Sequence, residues 1–338
     1  MAASEKITLA LAGREVSISN PDKVFFSKRG ETKLDLIEYY RAIEGPLMKA
    51  IGGRPILMQR FPDGASGKSF FQKRVPKGAP EWLETAVVAT PNGTTSNAVV
   101  AADIAHVAWA VNMGCLGFHG WPHTAAEPQF TDELRVDLDP SKGIKLEHIK
   151  AVAFQVRDVL AEVGIDVYPK TSGSRGLHLF SHLAPGWDSY SVRAAAVALA
   201  RELERRFPDT ITAKWWKEER GQRVFIDFNQ NAPHKTVFAT WSARARVGGQ
   251  VSCPLRWDEV ADVTPDDLTI ATVPAKVAAE GNPWEEMYRT PQDITPLLGW
   301  YERDLEAGLM DAPWPPVYPK MPNEPSRVNP SRAKTPEA

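Results

Sequence analysis

The stretch Glu133–Ser141 reads ELRVDLDPS and places two aspartates, Asp137 and Asp139, on either side of a leucine. Apolar Val136 and Leu138 alternate with the acids, which is the pattern of a half-buried β-strand. In a strand both carboxylates project from one face, where neighbouring like charges destabilise the fold unless they are neutralised. A divalent cation would neutralise them, although Asp before Pro is also a common turn signal.

A second polar segment, KTSGSRGLHLF, spans residues 170–180. Its serines and glycines predict a turn in which backbone N–H groups face an anion. Arg175 adds a planar guanidinium that suits phosphate. An ordinary surface turn is the alternative interpretation of such a segment.

A third carboxylate, Asp227, lies between Ile226 and Phe228 in the segment RVFIDFNQN. A lone aspartate in an apolar strand needs a partner, because an unpaired buried charge is costly. A salt bridge to a nearby arginine is one solution. Taken with the Asp pair and the phosphate-binding turn, Asp227 also fits a two-metal phosphoryl-transfer site. Downstream, Arg244 and Arg246 alternate, so both side chains can point into one cleft.

The charge distribution favours a nucleic-acid partner although the net charge of the 338-residue chain is only −2. Between positions 258 and 311, acidic residues outnumber basic residues by ten, which leaves the remainder basic. Basic residues cluster with aromatic residues at positions 23–33, 60–77 and 214–246, and these clusters include Arg60 and Arg220. This pattern is typical of a groove for a phosphate backbone, and solvated surface faces are the alternative.

Composition also restricts the compartment. Cys115 and Cys253 are the only cysteines, which indicates a reducing compartment without a disulfide framework. No secretory signal opens the chain. The most apolar run, around residues 98–118, contains Asp103, His106 and Asn112, so we expect no membrane span.

The order of predicted elements indicates an α+β fold with mixed sheets. Helices are predicted at residues 32–50, 146–163 and 191–207, and strands at 56–61, 165–168, 177–180, 224–228 and 236–241. From position 312, eight of the last 27 residues are proline, so this tail should be extended, docked or disordered. We predict a catalytic domain at 1–300 and an acidic-to-proline-rich C-terminal extension at 301–338.

The paired aspartates, the SGSRGLH turn and the later single aspartate resemble the three motifs of the archaeo-eukaryotic primase superfamily. More closely, the chain resembles the polymerase domain of bacterial ligase D, from NPDKVFF at position 20 to about Pro254. The resemblance implies a primase-polymerase core of mixed β-sheets flanked by helices, with an RRM-like element. The family often has Lys where Arg175 stands, and the segment GFHGW around His119 also departs from its usual form.

The resemblance also implies residue roles. Asp137, Asp139 and Asp227 would be catalytic and would hold two Mn²⁺ or Mg²⁺ ions. The incoming nucleoside triphosphate would be contacted by His119, Ser172, Arg175, Gln230, Lys235, Arg244 and Arg246. DNA would be contacted by Lys23 and Lys33, which match lysines that bind a 5′-phosphate, by Phe70 and Phe71, which stack on bases, and by Arg60 and Arg220 in the basic clusters.

The implied function is a template-dependent DNA/RNA polymerase that fills short gaps and processes ends in DNA repair. Its substrate would be gapped or broken double-stranded DNA with a 5′-phosphate, and the family favours ribonucleotides. The chain contains no K-x-D-G adenylation motif. We therefore expect a stand-alone protein that works with a separate ATP-dependent DNA ligase, with Ku as a second candidate partner. We expect a cytoplasmic, nucleoid-associated monomer that does not bind membranes.

Three alternatives stay open on the residues alone. A metal-dependent phosphoesterase also uses clustered carboxylates, although it would normally need more histidine ligands. A non-catalytic DNA-end-binding module would use only the basic and aromatic residues. A zinc site is a third alternative, because Cys115, His119 and His123 are spaced four apart. Gly120 and Pro122 argue against a helix that would bring these three together.

Overall fold

The computed structural model describes residues 6–328, which form an α+β fold. The α-helices of this range are α1 (Lys33–Ala42), α2 (Glu44–Ile51), α3 (Ile104–Asn112), α4 (Leu146–Ala161), α5 (Ser189–Arg206), α6 (Val273–Glu280) and α7 (Thr295–Glu306). Its strands are β1 (Lys6–Leu11), β2 (Arg14–Ser19), β3 (Val24–Phe26), β4 (Glu31–Thr32), β5 (Pro55–Arg60), β6 (Phe70–Gln72), β7 (Thr85–Ala89), β8 (Thr95–Val100), β9 (Cys115–Gly120), β10 (Glu133–Pro140), β11 (Tyr168–Thr171), β12 (Leu177–His182), β13 (Ile211–Thr212), β14 (Val224–Ile226) and β15 (Val237–Phe238).

The strand with the paired aspartates, β10, lies in the middle of a five-stranded sheet. The strand order is β11-β12-β10-β14-β13, and only β13 runs parallel to its neighbour. Following the chain, β10, α4, β11, β12, α5 and β14 make a βαββαβ unit, which is the arrangement of an RRM-like element. The apolar faces of α4 and α5 share one core with the sheet, so both aspartates are carried by a rigid central strand.

A second, six-stranded sheet carries the remaining part of the site. Its strands are antiparallel in the order β15-β9-β5-β8-β7, and β6 also pairs with β5. Helices α1, α2 and α3 share a core with this sheet. At the junction of the two sheets, β15 pairs with β9 and the buried Lys170 of β11 donates a hydrogen bond to the carbonyl oxygen of Phe238.

The helix predicted at 32–50 is wrong in one respect, since it is two helices. Thr32 caps α1 in a capping box with Asp35, as its position predicts. The chain bends at Ile43, where the helical path stops. Pro46 explains the bend, because a helix running through it would lack one N–H and would crowd the carbonyl of residue 42.

Three predicted strands also differ from the structure. Strand 165–168 begins instead at Tyr168, because the N–H of Ile165 donates to the carbonyl oxygen of Leu160 and closes the end of α4. Strand 224–228 ends at Ile226, and Asp227 caps a short 3₁₀ helix. Strand 236–241 is shortened to β15, and Trp241, at the end of the predicted strand, has a φ of 66° that lies outside the extended region.

The chain after α7 is docked against the RRM-like element, where Arg193 of α5 donates to Asp311 and to the Ala312 carbonyl oxygen. Trp314 and Tyr318 are buried there. The rest of the predicted proline-rich tail, residues 329–338, lies outside the described residues. The predicted domain boundary at residue 300 falls inside α7. Among residues 6–328, no helix combines the length and apolarity that crossing a bilayer requires.

Candidate active site

The three aspartates singled out in the sequence come together at one end of the central strand. Asp137 and Asp139 line the same cleft of about 1010 Å³. Asp227 follows β14, the neighbour of β10, and its backbone N–H donates to the Asp137 carbonyl oxygen over 3.0 Å. The predicted grouping of these residues therefore rests on direct strand pairing rather than on loop conformation.

Burial and mutual repulsion both disfavour the charged form of these carboxylates. Burial, followed by the charges of Asp227 and Asp139, raises the pKa of Asp137 to about 7. Burial also raises the pKa of Asp227, while the nearby charge of Lys235 opposes that rise. Carboxylates that repel one another in a buried position are neutralised by protons or by cations. The arrangement therefore fits divalent cations held by these residues.

The geometry suits ions that take only part of their ligands from protein. Residues 6–328 contain no group of three or more His, Cys, Asp or Glu side chains arranged around one ion. Mg²⁺ commonly uses one or two carboxylates and completes its shell with water and substrate phosphates. Asp137 and Asp139 fit that mode, because they line an open cleft with room for a nucleotide, and Asp227 lies beside them at the end of β14.

Arg220 is the counter-ion of Asp139. Its Nη1 donates to Asp139 Oδ2 over 2.9 Å. Its other nitrogens donate to the carbonyl oxygens of Lys214 and Trp215, and the guanidinium stacks 3.7 Å from the Phe225 ring centroid. All these contacts are within the protein, so the structure places this side chain against an aspartate that the sequence predicts to be catalytic. Its predicted contact with DNA stays a prediction.

The turn at 171–176 is built by Ser172 and Gly173. Ser172 Oγ accepts hydrogen bonds from the N–H groups of Ser174 and Gly176, each over 3.1 Å. Those two N–H groups therefore do not face an anion, and the predicted backbone cradle is wrong for them. Gly173 has a φ of 68°, and a Cβ there would lie 3.2 Å from the Ser252 nitrogen.

The side chains around this turn make a cationic wall of the cleft. Arg175, Arg244 and Arg246 all line it. Arg246 Nη1 donates to Ser174 Oγ over 3.3 Å. The charge of Asp137 lies close enough to act on the pKa of Arg244, although burial lowers that pKa overall. Three guanidinium groups facing carboxylates suit a polyphosphate bridged to cations.

Two residues of the site were not predicted, Lys170 and His178, which face each other across β11 and β12. His178 Nε2 lies 3.4 Å from Asp137 Oδ1, and its buried Nδ1 has no hydrogen-bond partner. Burial and then Arg244 lower the pKa of Lys170 to about 7. A hairpin register drawn through the SGSRG turn would have paired these two residues and indicated both.

His119 lies within a row of aromatic side chains. Its ring meets Phe71 and Phe238 edge-on, with ring centroids 5.3 and 5.2 Å apart. Arg244 lies over the other side of Phe238, 4.0 Å from the ring centroid. Burial and then the charge of Arg244 lower the pKa of His119 to about 4, so this ring is neutral at physiological pH. Its buried Nε2 has no hydrogen-bond partner.

The zinc alternative finds no support in these contacts. Cys115 Sγ donates to the carbonyl oxygen of Gly117, and His123 Nδ1 lies 3.0 Å from the carbonyl oxygen of Thr124. His119 is enclosed by aromatic rings. The three side chains therefore have separate surroundings within the described chain.

Phe70 and Phe71 form an exposed aromatic step beside the cleft. The two residues are 46% and 58% exposed although they belong to a strand. Arg60 lies 5.1 Å from the Phe70 ring centroid and donates to Gln72 and to the carbonyl oxygen of Met113. Exposed aromatic rings beside a cation are suited to stacking with bases.

Lys23 and Lys33 lie near each other, on the side of the molecule formed by α1. The Lys33 Nζ donates to the Ser19 carbonyl oxygen and to Asn112 Oδ1. Burial and then the charge of Lys23 lower the pKa of Lys33 to about 8. Lys23 Nζ donates to Asp63 over 3.3 Å. Lys33 is 4% exposed and donates to internal acceptors, and Lys23 already pairs with a carboxylate, so the predicted contact of both lysines with a 5′-phosphate stays a prediction.

The turn between these lysines contacts the loop that carries Arg246. The N–H of Lys28 donates to the Val247 carbonyl oxygen over 3.0 Å. Arg29 Nη2 donates to the Gly248 carbonyl oxygen over 3.4 Å. The turn beside the predicted 5′-phosphate site is therefore joined by direct hydrogen bonds to the loop that carries Arg246 into the cleft.

The remaining predicted residues lie immediately after Asp227. Gln230 Nε2 donates to Asp227 Oδ2 over 2.7 Å, so Gln230 holds the carboxylate. The N–H of Lys235 donates to the Ala232 carbonyl oxygen. The nucleotide-binding roles predicted for both residues stay predictions.

Comparison with known proteins agrees with the motifs. The family model described as LigD, primase-polymerase domain, matches residues 32–284. The multifunctional non-homologous end joining DNA repair protein LigD of Mycobacterium tuberculosis is 32% identical over 314 residues, which are 90% of this chain and 41% of that protein. The bifunctional non-homologous end joining protein LigD of Bacillus subtilis is 30% identical over 281 residues, 82% of this chain and 45% of that protein.

A solved structure has the same fold. It is the polymerase domain from Mycobacterium tuberculosis ligase D in complex with DNA, and it matches with a TM-score of 0.77 and 32% identity, covering 82% of this chain and 99% of that one. This match confirms the α+β primase-polymerase core. The chain spans less than half the length of the curated relatives. On these grounds the chain belongs to the LigD primase-polymerase domain family.

Proposed function

We propose that this protein is a template-dependent nucleotidyltransferase that fills short gaps and processes ends in DNA repair. The observation that carries the proposal is the cleft in which Asp137 and Asp139, with Asp227 beside them, face three arginines. Asp137 contributes most to this argument, because its raised pKa reflects two neighbouring carboxylates in a buried place. A polyphosphate with divalent cations is the ligand that satisfies both walls of such a cleft.

Asp137, Asp139 and Asp227 would hold two Mn²⁺ or Mg²⁺ ions, with Asp227 serving the ion nearest the primer 3′-hydroxyl. The ions would activate that hydroxyl and neutralise charge on the transferred phosphoryl group. Arg175, Arg244 and Arg246 would bind the triphosphate. Asp139 would hold an ion in place of, or together with, its present contact to Arg220.

The remaining residues would position the substrates. Ser172, which lines the cleft, would contact the incoming nucleotide, and so would His119, whose ring touches the same Phe238 ring as Arg244. Phe70 and Phe71 would stack on template or duplex bases, with Arg60 beside them. Lys23 and Lys33 would hold the 5′-phosphate at the far side of a gap. The solved relative is in complex with DNA, which supports a DNA substrate for this chain.

We extend the proposal to the substrates and partners that the family resemblance implies. The matching curated proteins are named for non-homologous end joining. We propose ribonucleotides as favoured substrates, a separate ATP-dependent DNA ligase as the partner that seals the product, and Ku as a second partner at broken ends. A catalytic unit at 1–300 with an extension at 301–338, acting as a cytoplasmic, nucleoid-associated monomer, completes the proposal.

The test is nucleotide addition on DNA with a short gap, with Mn²⁺, with Mg²⁺ and with a chelator. We expect addition that follows the template base and requires the metal. Asp139→Asn and Asp227→Asn should each lower the rate by about 100-fold or more while DNA affinity is retained, because the ions act mainly on the transition state.

Asp158→Asn is the matched control, since this aspartate is exposed on α4 and pairs only with Arg157 among the described residues. It should add nucleotides at the wild-type rate. Release of nucleotides without synthesis would favour the phosphoesterase alternative. DNA binding without either reaction would favour the non-catalytic end-binding module.

A further inference from the structure

Residues 311–327, here called the C-terminal strap, pack against the segment that follows Asp227. Trp314 and Tyr318 of the strap are buried together with Ala232. The Tyr318 hydroxyl donates to the Pro233 carbonyl oxygen over 2.7 Å. The strap lies beyond residues 32–284, which match the family model, so the shared motifs do not account for it.

Arg193 of α5 joins the strap to the sheet. The residue is 1% exposed, and its guanidinium lies 3.8 Å from the Trp314 ring centroid. Its Nη1 donates to both carboxylate oxygens of Asp311, over 3.1 and 3.2 Å. Its Nη2 donates to the Ala312 carbonyl oxygen, and its Nε donates to Asn229 Oδ1 over 2.8 Å. A planar guanidinium with all sides engaged fixes the orientation of its partners.

Asn229 carries this constraint to the catalytic carboxylate. Its Nδ2 donates to the Pro313 carbonyl oxygen over 3.0 Å. Its backbone N–H donates to Asp227 Oδ1 over 3.1 Å, while Gln230 fixes the other oxygen. The orientation of the Asp227 carboxylate is therefore set by a short segment whose outer side is held by Arg193 and the strap.

The inner side of the same segment is held by β10. Asn231 Oδ1 accepts from the N–H of Arg135, and its Nδ2 donates to the carbonyl oxygen of the same residue. The segment 228–231 is thus clamped between the central strand and the strap. Without the contacts from Arg193 and the strap, the segment 228–231 would be held only by its hydrogen bonds to β10.

We propose that Arg193 and Asp311 are positioning residues that orient the Asp227 carboxylate through Asn229. The inference rests on the proposed function, in which Asp227 is a metal ligand. Neither residue lines the cleft, so an effect on the reaction has to pass through Asn229 and Asp227. Outer-shell partners of a metal ligand typically change metal affinity or activity by about 10- to 100-fold.

The experiment uses the full chain with Asp311→Asn and Arg193→Met. Mn²⁺ binding is measured directly, from the electron paramagnetic resonance signal of the free ion, in the absence of DNA and nucleotide. Nucleotide addition, DNA affinity and the melting temperature are measured in parallel. We expect Mn²⁺ affinity and kcat to fall by about tenfold or more in both variants, with DNA affinity unchanged.

Arg205→Met is the matched control. Arg205 lies on the same helix and forms ion pairs with Glu202 and Asp304, which have no contact with Asp227. Replacing Arg205 removes ion pairs of α5 and should lower the melting temperature, but it should not change Mn²⁺ affinity, because these pairs are not connected to Asp227. We expect Arg205→Met to bind Mn²⁺ as the wild type does.

Wild-type Mn²⁺ affinity in folded Asp311→Asn would overturn the inference, and so would an equal loss in Arg205→Met. Asp311→Asn keeps the size of the side chain, so its Mn²⁺ affinity tests the inference even if Arg193→Met does not fold. A wild-type chain that neither binds Mn²⁺ nor adds nucleotides would instead contradict the proposed function, on which the inference depends.

Discussion

At the scale of single residues, Asp137 shows how function opposes stability. Its pKa in the metal-free folded chain is about 7, against 3.8 for an ordinary aspartate. The folded chain therefore binds a proton at Asp137 that the unfolded chain has already lost. Because the folded-state pKa is the higher one, the stabilising contribution is complete below the unfolded value and is lost as the pH rises through the folded value.

We predict that Asp137→Asn stabilises the metal-free chain above neutral pH. The amide cannot ionise, so it avoids repulsion from Asp139 and Asp227. The gain in the free energy of unfolding should be about 1–2 kcal/mol at about pH 8 and should vanish at about pH 4. Melting temperatures with a chelator at both pH values would measure it. An equal or lower melting temperature of the variant at the higher pH would show that the carboxylates do not repel one another.

At the scale of elements, the turn between β11 and β12 depends on the backbone of Gly173. A side chain there would need a left-handed conformation and would press on Ser252 and on the Cβ of Arg244, 3.3 Å away. The turn therefore couples its own backbone conformation to the position of a cation in the cleft.

We predict that Gly173→Ala weakens nucleotide binding by about tenfold, because about 1–2 kcal/mol of left-handed strain is relieved by displacing the turn. Gly164→Ala is the control. Gly164 has a φ of 73°, and a Cβ there would meet no atom within 4 Å. Both variants should lose stability, and only Gly173→Ala should raise the KM for nucleotide. Equal KM values would mean that the turn does not position the nucleotide.

The elements also show what the sequence could predict. The alternation of apolar and acidic residues around Asp137, the helix cap at Thr32 and the end of a helix at Gly164 are local signals in the sequence. The structure contains all three features. Pro46 is also a local signal for the bend before it, although the helix predicted at 32–50 runs through this position. Partners far apart along the chain left no local signal. The pairing of Arg220 with Asp139 belongs to that class, because it depends on how β10 and the loop before β14 meet in space.

The grouping of the carboxylates was predictable for a different reason. Three acidic residues in apolar strands each require compensation, and one shared site is the most economical arrangement. The strap was not predictable in detail, because proline-rich composition is equally compatible with docked and extended chains. Burial of Trp314 and Tyr318 decides in favour of docking.

At the scale of the whole molecule, the lysine pair and the cleft are two separate candidate sites for phosphate. We predict that the protein prefers a gap bearing a 5′-phosphate over the same gap ending in a hydroxyl. Burial and then the charge of Lys23 lower the pKa of Lys33, although Lys23 already pairs with Asp63. Each charge-assisted contact of a phosphate with these lysines should contribute about 1.5–3 kcal/mol. The double variant Lys23→Met and Lys33→Met should therefore lose the preference and bind the phosphorylated gap at least about tenfold more weakly.

Fluorescence anisotropy with the two matched DNAs over a range of salt concentrations would measure this. Lys49→Met is the control, because Lys49 pairs with Glu285 on an exposed surface. It should keep the preference. Equal binding of both DNAs by the wild-type chain would show that the protein does not recognise the 5′-phosphate and would contradict the prediction.

The hydrogen bonds between the turn at 27–30 and the loop at 246–249 have a consequence for substrate length. They fix the separation between the lysine pair and the cleft. If the lysine pair holds the downstream end and the cleft holds the incoming nucleotide, the distance between them would select the length of the gap. The protein would distinguish one missing nucleotide from several by distance alone, without reading a single base.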